Sequence, residues 1–200
     1  MMKIGYFGGT FDPPHLGHQV LASEAFYQVK LDSLKWILTP HPPHKENRSL
    51  SSEKHRLEML QLMIEKYPEF SLSRIDLDRD PPHYAADTVA LLKEQDPSAE
   101  LVYLIGEDSL RDLSSWYQPQ RFLENIDKLC VARRPGISVD LDGITQTLPG
   151  LKGKVVYLSE TMMQISSSLI RNRIRQNAPY RHLVTPEVFQ YIKENNLYGK

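Results

Sequence analysis

Cysteine is almost missing from this chain: Cys130 is the only one in 200 residues. A disulfide framework is therefore excluded, and a reducing compartment is the natural expectation. Long apolar runs are missing too. No stretch reaches the ~18 residues of a membrane span. The opening MMKIGYFGGTFDP holds no apolar run suited to a signal peptide. A cytoplasmic protein with no membrane contact is expected. Neither sign of charge dominates, with 24 Lys and Arg against 25 Asp and Glu and a formal net charge of −1. No global positive field draws in nucleic acid, so a phosphate site has to be built locally from helix ends and a few basic side chains. The chain also lacks the Gly-Lys-Ser/Thr of a Walker A loop and the Gly-x-Gly-x-x-Gly dinucleotide fingerprint. No cysteine cluster completes a zinc site.

What is there suits one α/β domain with, at most, a small helical appendage. The chain is 40% hydrophobic and 24% charged, ordinary values for a globular protein. Short apolar runs at residues 3–7, 35–39, 71–77, 101–105, 128–133 and 154–158 read as strands. Between and after them, residues 17–29, 53–67, 85–94, 120–126, 167–176 and 186–195 read as helices. The second helix is the best marked. Ser51 or Ser52 can cap it, Leu57, Leu60, Ile64 and Tyr67 recur at helical spacing, and Pro68 follows. Strands alternating with helices predict βαβ units and a doubly wound, open parallel sheet covered on both faces. Residues 135–153 read as a loop-rich insertion. Residues 1–200 read as a single domain, with residues 159–200 as a C-terminal helical subdomain.

The most informative string is Gly8-Gly9-Thr10-Phe11-Asp12-Pro13-Pro14-His15-Leu16-Gly17-His18. It follows the first strand and opens the first helix. In an open parallel sheet that place is a crevice at the carboxyl ends of the strands, where ligands bind. Gly8 and Gly9 allow a tight backbone and close approach of a phosphate. The helix start adds N–H donors and a partial positive charge. His15 and His18, three apart, share a face on a helical first turn and can donate to phosphate oxygens. A lone Gly-Gly or His-x-x-His could be a plain turn with surface histidines, and histidine is also a metal ligand. The whole string is hard to read that way. A second anion site is suggested by Ser166-Ser167-Ser168-Leu169-Ile170-Arg171, where serines cap an apolar helical run and Arg171 follows one turn in.

The first string resembles the signature of the nucleotidyltransferase superfamily, whose HxGH element is also related to that of class I aminoacyl-tRNA synthetases. The second resembles the ISSTxxR motif of nicotinate and nicotinamide mononucleotide adenylyltransferases, with Ser168 where threonine is usual. His41-Pro42-Pro43-His44-Lys45 is similar to the PxxPPHK segment of the bacterial nicotinate enzymes. Gly106-Glu107-Asp108-Ser109-Leu110 with Trp116 is similar to their GxDsl…W segment. Arg133-Arg134-Pro135-Gly136 and the ending Tyr191-Ile192…Leu197-Tyr198 match as well. One departure stands at the usual SYTxxT string. Tyr84 and Thr88 match it, but Ala85 replaces the threonine.

The resemblance implies a Rossmann-like nucleotidyltransferase fold. It also implies adenylyl transfer from ATP to nicotinate mononucleotide, giving deamido-NAD and pyrophosphate in NAD biosynthesis. His15 and His18 would be catalytic. Gly8, Gly9, Thr10, Phe11, Ser166, Ser167 and Arg171 would join them in binding ATP. Lys45, Tyr84, Ala85, Thr88, Asp108, Trp116, Arg133 and Arg134 would hold the mononucleotide. Mg²⁺ would ride mainly on the ATP phosphates, with no dedicated protein metal site. The partners implied are the two nucleotides, with neither nucleic acid nor membrane, in a monomer or homo-oligomer.

Overall fold

The computed structural model describes residues 1–42, 50–133, 135–159 and 164–199. Six parallel strands form one sheet: β1 (Lys3–Gly9), β2 (Ser33–Leu38), β3 (Phe70–Ser73), β4 (Glu100–Gly106), β5 (Lys128–Ala132) and β6 (Val155–Tyr157). Their order is β3-β2-β1-β4-β5-β6. The chain leaves β1 toward β2 on one side and later returns to lay β4 on the other. The crevice outside the carboxyl ends of β1 and β4 is thus the switch point, where doubly wound sheets bind ligands.

Side chains alternate across the pleat, and both faces are buried. Phe7, Trp36, Leu38, Val102, Leu104 and Cys130 point into one core. That core is completed by Ala22 and Ala25 of α1 (Leu16–Val29) and by Met59, Leu60 and Met63 of α2 (Glu53–Ile64). Ile4, Tyr6, Ile37, Leu101, Tyr103 and Ile105 point into the other. There they meet Val89 and Leu92 of α3 (Ala85–Gln95), Leu110 of α4 (Glu107–Arg111), and Phe122 and Leu123 of α5 (Pro119–Glu124). The chain ends in α8 (Ser167–Arg175) and α9 (Pro186–Glu194). Their residues Ile170, Val188 and Ile192 belong to the first core, and α9 packs on α2. No helix among the described residues is long and apolar enough to cross a membrane.

Two expectations are corrected. The third strand stops at Ser73 instead of running to residue 77. Beyond it the chain turns, and Asp76 swings inward to pair with Arg79 and accept from Thr88. That ion-paired turn uses up the apolar-looking tail of the run. The insertion at 135–153 is not only loop. It carries α6 (Leu141–Thr147) and α7 (Leu151–Lys154). Asp140 caps the former by accepting from the Gly143 N–H at 2.9 Å, and Leu148 and Leu151 anchor the segment in the second core.

Candidate active site

A cavity of about 1040 Å³ runs along the carboxyl edge of β1 and β4. One half is lined by Gly8, Gly9, Thr10, Phe11, His15 and His18, together with Ser166, Ser167, Ser168 and Arg171 from the start of α8. The other half is lined by Tyr84, Ala85, Thr88, Asp108, Trp116 and Arg133. The fold therefore gathers into one cavity residues as far apart in the chain as Gly8 and Arg171. Lys45 and Arg134 lie outside the described residues.

The two glycines are required by their neighbours. A Cβ on Gly8 would sit 2.3 Å from the Tyr103 hydroxyl, and one on Gly9 would sit 2.9 Å from the Phe11 ring. Phe11 turns the loop with a left-handed φ of 47° and buries its ring edge-on to Phe7 and His18. His15 does not lie in the first helical turn, as spacing alone suggests. It is the N-cap of α1, with an extended backbone, and His18 is the third helical residue. The pair forms a reciprocal capping box. The His18 N–H donates to His15 Nδ1 at 3.3 Å, and the His15 N–H donates to His18 Nδ1 at 3.2 Å. The rings stack with centroids 3.6 Å apart. Because each Nδ1 accepts, the proton of each neutral imidazole belongs on Nε2, which makes both rings donors from that atom.

The start of α8 is stitched to the same loop. Ser166 caps the helix, its Oγ accepting from the Leu169 N–H at 3.1 Å. Ser167 Oγ donates to the Pro13 carbonyl at 2.8 Å. Arg171 donates through Nη1 to the Asp12 carbonyl at 2.6 Å and through Nη2 to Ser168 Oγ at 3.2 Å. Two helix N-termini, α1 and α8, are thus fixed against each other on one wall of the cavity, a pairing suited to polyanions.

In the other half, Thr88 Oγ1 donates to Asp76 at 2.8 Å and accepts from Arg79 Nη2 at 3.0 Å. That hydroxyl is engaged by the protein, so Thr88 shapes the wall from behind. Ala85 and Ala86 open α3 with N–H groups that have no intrahelical partner. Tyr84 stacks on Tyr117 with centroids 4.1 Å apart. Trp116 is half-buried and edge-on to Phe122. Arg133 is exposed and lies 4.7 Å over the Tyr157 ring. Asp108 stands in the first turn of α4, and no group of three His, Cys, Asp or Glu able to hold a metal occurs among the described residues.

The cytidylyltransferase-like family model matches residues 6–173. A nicotinate-nucleotide adenylyltransferase of Bacillus subtilis (strain 168) is 36% identical over 198 residues, with 99% of each chain covered. A relative from Carboxydothermus hydrogenoformans, named a probable nicotinate-nucleotide adenylyltransferase, is 44% identical over 198 residues, with 98% of each covered. This chain belongs to the nicotinate-nucleotide adenylyltransferase family. Its fold is also that of a Plasmodium falciparum nicotinic acid mononucleotide adenylyltransferase complexed with NaAD, at a TM-score of 0.80 and 20% identity over 99% of this chain and 98% of that one.

In this member of the family, three residues that sequence reasoning gave no role at the site support the HxGH loop from below. Asp12, 1% exposed, accepts from the Tyr198 hydroxyl at 2.7 Å and from the Ser51 N–H at 3.3 Å. Burial first, then the Asp12 charge, pushes the Tyr198 hydroxyl far above the ordinary phenol range. Arg56, 2% exposed, donates to the carbonyls of Thr10, Thr39, Pro40 and Ser51. Burial lowers its pKa, and the nearby Asp12 opposes that shift. A signal for Arg56 was available. It lies in phase with the buried stripe Met59, Leu60 and Met63 of α2, where a surface arginine has no place.

Proposed function

We propose that the chain transfers the adenylyl group of ATP to nicotinate mononucleotide, releasing pyrophosphate and forming deamido-NAD. The observation that carries this is the pairing of the α1 and α8 N-termini around two stacked histidines whose Nδ1 atoms are committed to the backbone. The 5′-phosphate of the mononucleotide is largely dianionic at neutral pH, its second pKa being ~6, so it attacks the α-phosphorus without a strong general base. The protein's task is to align two anions and stabilise the charge that moves onto pyrophosphate. The His15 and His18 Nε2–H groups donate to the α-phosphate and bridging oxygens, with His18 nearest the α-phosphate. Ser166, Ser167 and Arg171 hold the β- and γ-phosphates, while Gly8, Gly9, Thr10 and Phe11 give the nucleotide its backbone wall. Lys45 and Arg134, outside the described residues, are assigned to the mononucleotide by the family resemblance alone. Tyr84, Ala85, Thr88, Asp108, Trp116 and Arg133 form its pocket.

Among the described residues the lining includes Asp76, Asp108 and Asp112 but no three-ligand cage. That donor set fits Mg²⁺ carried on nucleotide oxygens and water. Asp108 would help hold such an ion, which would supply neutralisation of the triphosphate charge. The protein works in the cytoplasm, as a monomer or homo-oligomer, without nucleic acid or membrane as partner.

Preference for the acid over the amide arises at the start of α3. The Ala85 and Ala86 N–H groups and the helix dipole favour a carboxylate there. An amide would turn donors toward donors. Asp87 does not oppose this, because Arg121 pairs with it at 2.6 Å. The test is kcat/KM for nicotinate and nicotinamide mononucleotides under identical ATP and Mg²⁺, following pyrophosphate. A preference of at least ~10-fold for the acid is expected. A ratio near one, or one favouring the amide, overturns the preference, and no pyrophosphate with either overturns the function.

A further inference from the structure

Asp12 takes part in two sets of contacts, one through its side chain and one through its backbone. The residue is buried, an expensive place for a charge. Its Oδ1 accepts from the Tyr198 hydroxyl at 2.7 Å and its Oδ2 from the Ser51 N–H at 3.3 Å. Arg56 gives its hydrogen bonds to main-chain carbonyls, so Tyr198 supplies the short bond that fixes the carboxylate. The main-chain carbonyl of Asp12 accepts from Arg171 Nη1 at 2.6 Å, and the next carbonyl, that of Pro13, accepts from Ser167 Oγ at 2.8 Å. The second hold on Arg171 is the longer bond to Ser168 Oγ, 3.2 Å. Ser167, Ser168 and Arg171 line the cavity, whereas Asp12 and Tyr198 stand behind its wall. The tail is bent to bring Tyr198 there. After α9 the Leu197 N–H donates to the Ile192 carbonyl at 3.0 Å, and Asn196 and Tyr198 take left-handed φ values of 49° and 65°, an uncommon backbone for a bulky residue.

We infer that Tyr198 is a positioning residue for adenylyl transfer: through Asp12 it aims Arg171 at the outer phosphates of ATP. This role rests on the adenylyl-transfer reading above. The hydroxyl ends on the one residue whose carbonyl holds Arg171. Without that hydroxyl, a buried carboxylate loses its short bond and has to turn or draw in water to replace it. The side chain and carbonyl of Asp12 share one backbone, so the carbonyl shifts too, and Arg171 follows its acceptor. A guanidinium misplaced by about 1 Å loses much of a charge-assisted bond to phosphate. The histidine pair is held separately, by its own capping box. The loss therefore falls on the β- and γ-phosphates of ATP, and spares AMP and the mononucleotide.

Calorimetry on the full chain, well below its melting temperature, tests this with a nonhydrolysable ATP analogue and with AMP. Tyr198→Phe should weaken the analogue by about threefold or more and leave AMP within about twofold. Tyr191→Phe, which removes a hydroxyl of α9 that lies 2.9 Å from His55 Nδ1, should change neither. In an Arg171→Ala background, Tyr198→Phe should weaken the analogue no further, because the two residues act as one unit. In turnover, the Tyr198→Phe KM for ATP should rise more than kcat falls, with the mononucleotide KM unchanged. Unchanged analogue binding in Tyr198→Phe, equal losses for the analogue and AMP, or a full separate loss in the double variant would each overturn the positioning role. Wild-type protein that gives no pyrophosphate from ATP and nicotinate mononucleotide would overturn the function reading instead, which separates the two failures.

Discussion

His18 does two jobs with one ring. Its Nδ1 accepts from the His15 N–H in the capping box, the ring lines the cavity, and the proposed reaction uses its Nε2–H as a donor. His18→Ala should cost about 1 kcal/mol of stability through the lost cap. It should lower kcat by roughly 10²-fold, far more than it raises KM, because the donor acts on charge that develops in the transition state. Steady-state kinetics beside a urea melt separates the two effects. Near-normal turnover in the folded variant would remove His18 from the chemistry. Arg171 likewise holds the loop and, in the proposed reaction, the outer phosphates of ATP. It grips the Asp12 carbonyl and Ser168 and lines the cavity. Arg171→Ala should weaken ATP binding by about tenfold or more while AMP changes little, because a charged hydrogen bond is lost only to the outer phosphates. Equal losses for both nucleotides by calorimetry would contradict that role.

At the scale of elements, α2 and the C-terminal tail hold the HxGH loop. Arg56 in the first turn of α2 closes the ends of β1 and β2 over four carbonyls. Arg56→Met leaves those acceptors and buried Asp12 without their cation and should destabilise the fold by about 3–5 kcal/mol in denaturant melts. A loss under 1 kcal/mol would mean that water replaces it. Tyr198 reaches Asp12 from the far end of the chain. Tyr198→Phe removes a hydroxyl bonded to a buried carboxylate, a loss of about 1.5–3 kcal/mol. The melting temperature should fall by several degrees, and an unchanged value would detach the tail from the loop. The helices capped by Ser52, Ser166 and Thr185 start where those side chains allow, each accepting from an N–H three residues on. The end of β3 was not legible in the same way. The apolar run continues past Ser73, and only the inward ion pair of Asp76 with Arg79 stops the strand.

Across the whole molecule, the sheet buries the one cysteine between its layers. Burial pushes the Cys130 thiol up to about 12. A thiol reagent at pH 8 should therefore label Cys130 no faster than the protein unfolds, and fast labelling of native protein would show that the first core opens locally. The raised pKa also carries a sign. Above the ordinary thiol pKa the unfolded chain loses a proton that the folded chain keeps, so stability falls as pH rises from there toward about 12. The sequence by itself determined the doubly wound class, the place of the switch-point loop, the two serine- and histidine-marked helix starts and the family. These rest on local signals: apolar period, caps and contiguous motifs, each read within a dozen residues. Only the tertiary structure decided which residues hold that loop and wall the far end of the cavity. The Asp12–Tyr198 hydrogen bond and the Tyr84–Tyr117 stack join residues far apart in the chain. A sequence gives the chemistry of each partner but not its distance from the other, and a buried charge or an exposed ring acquires meaning only from that distance.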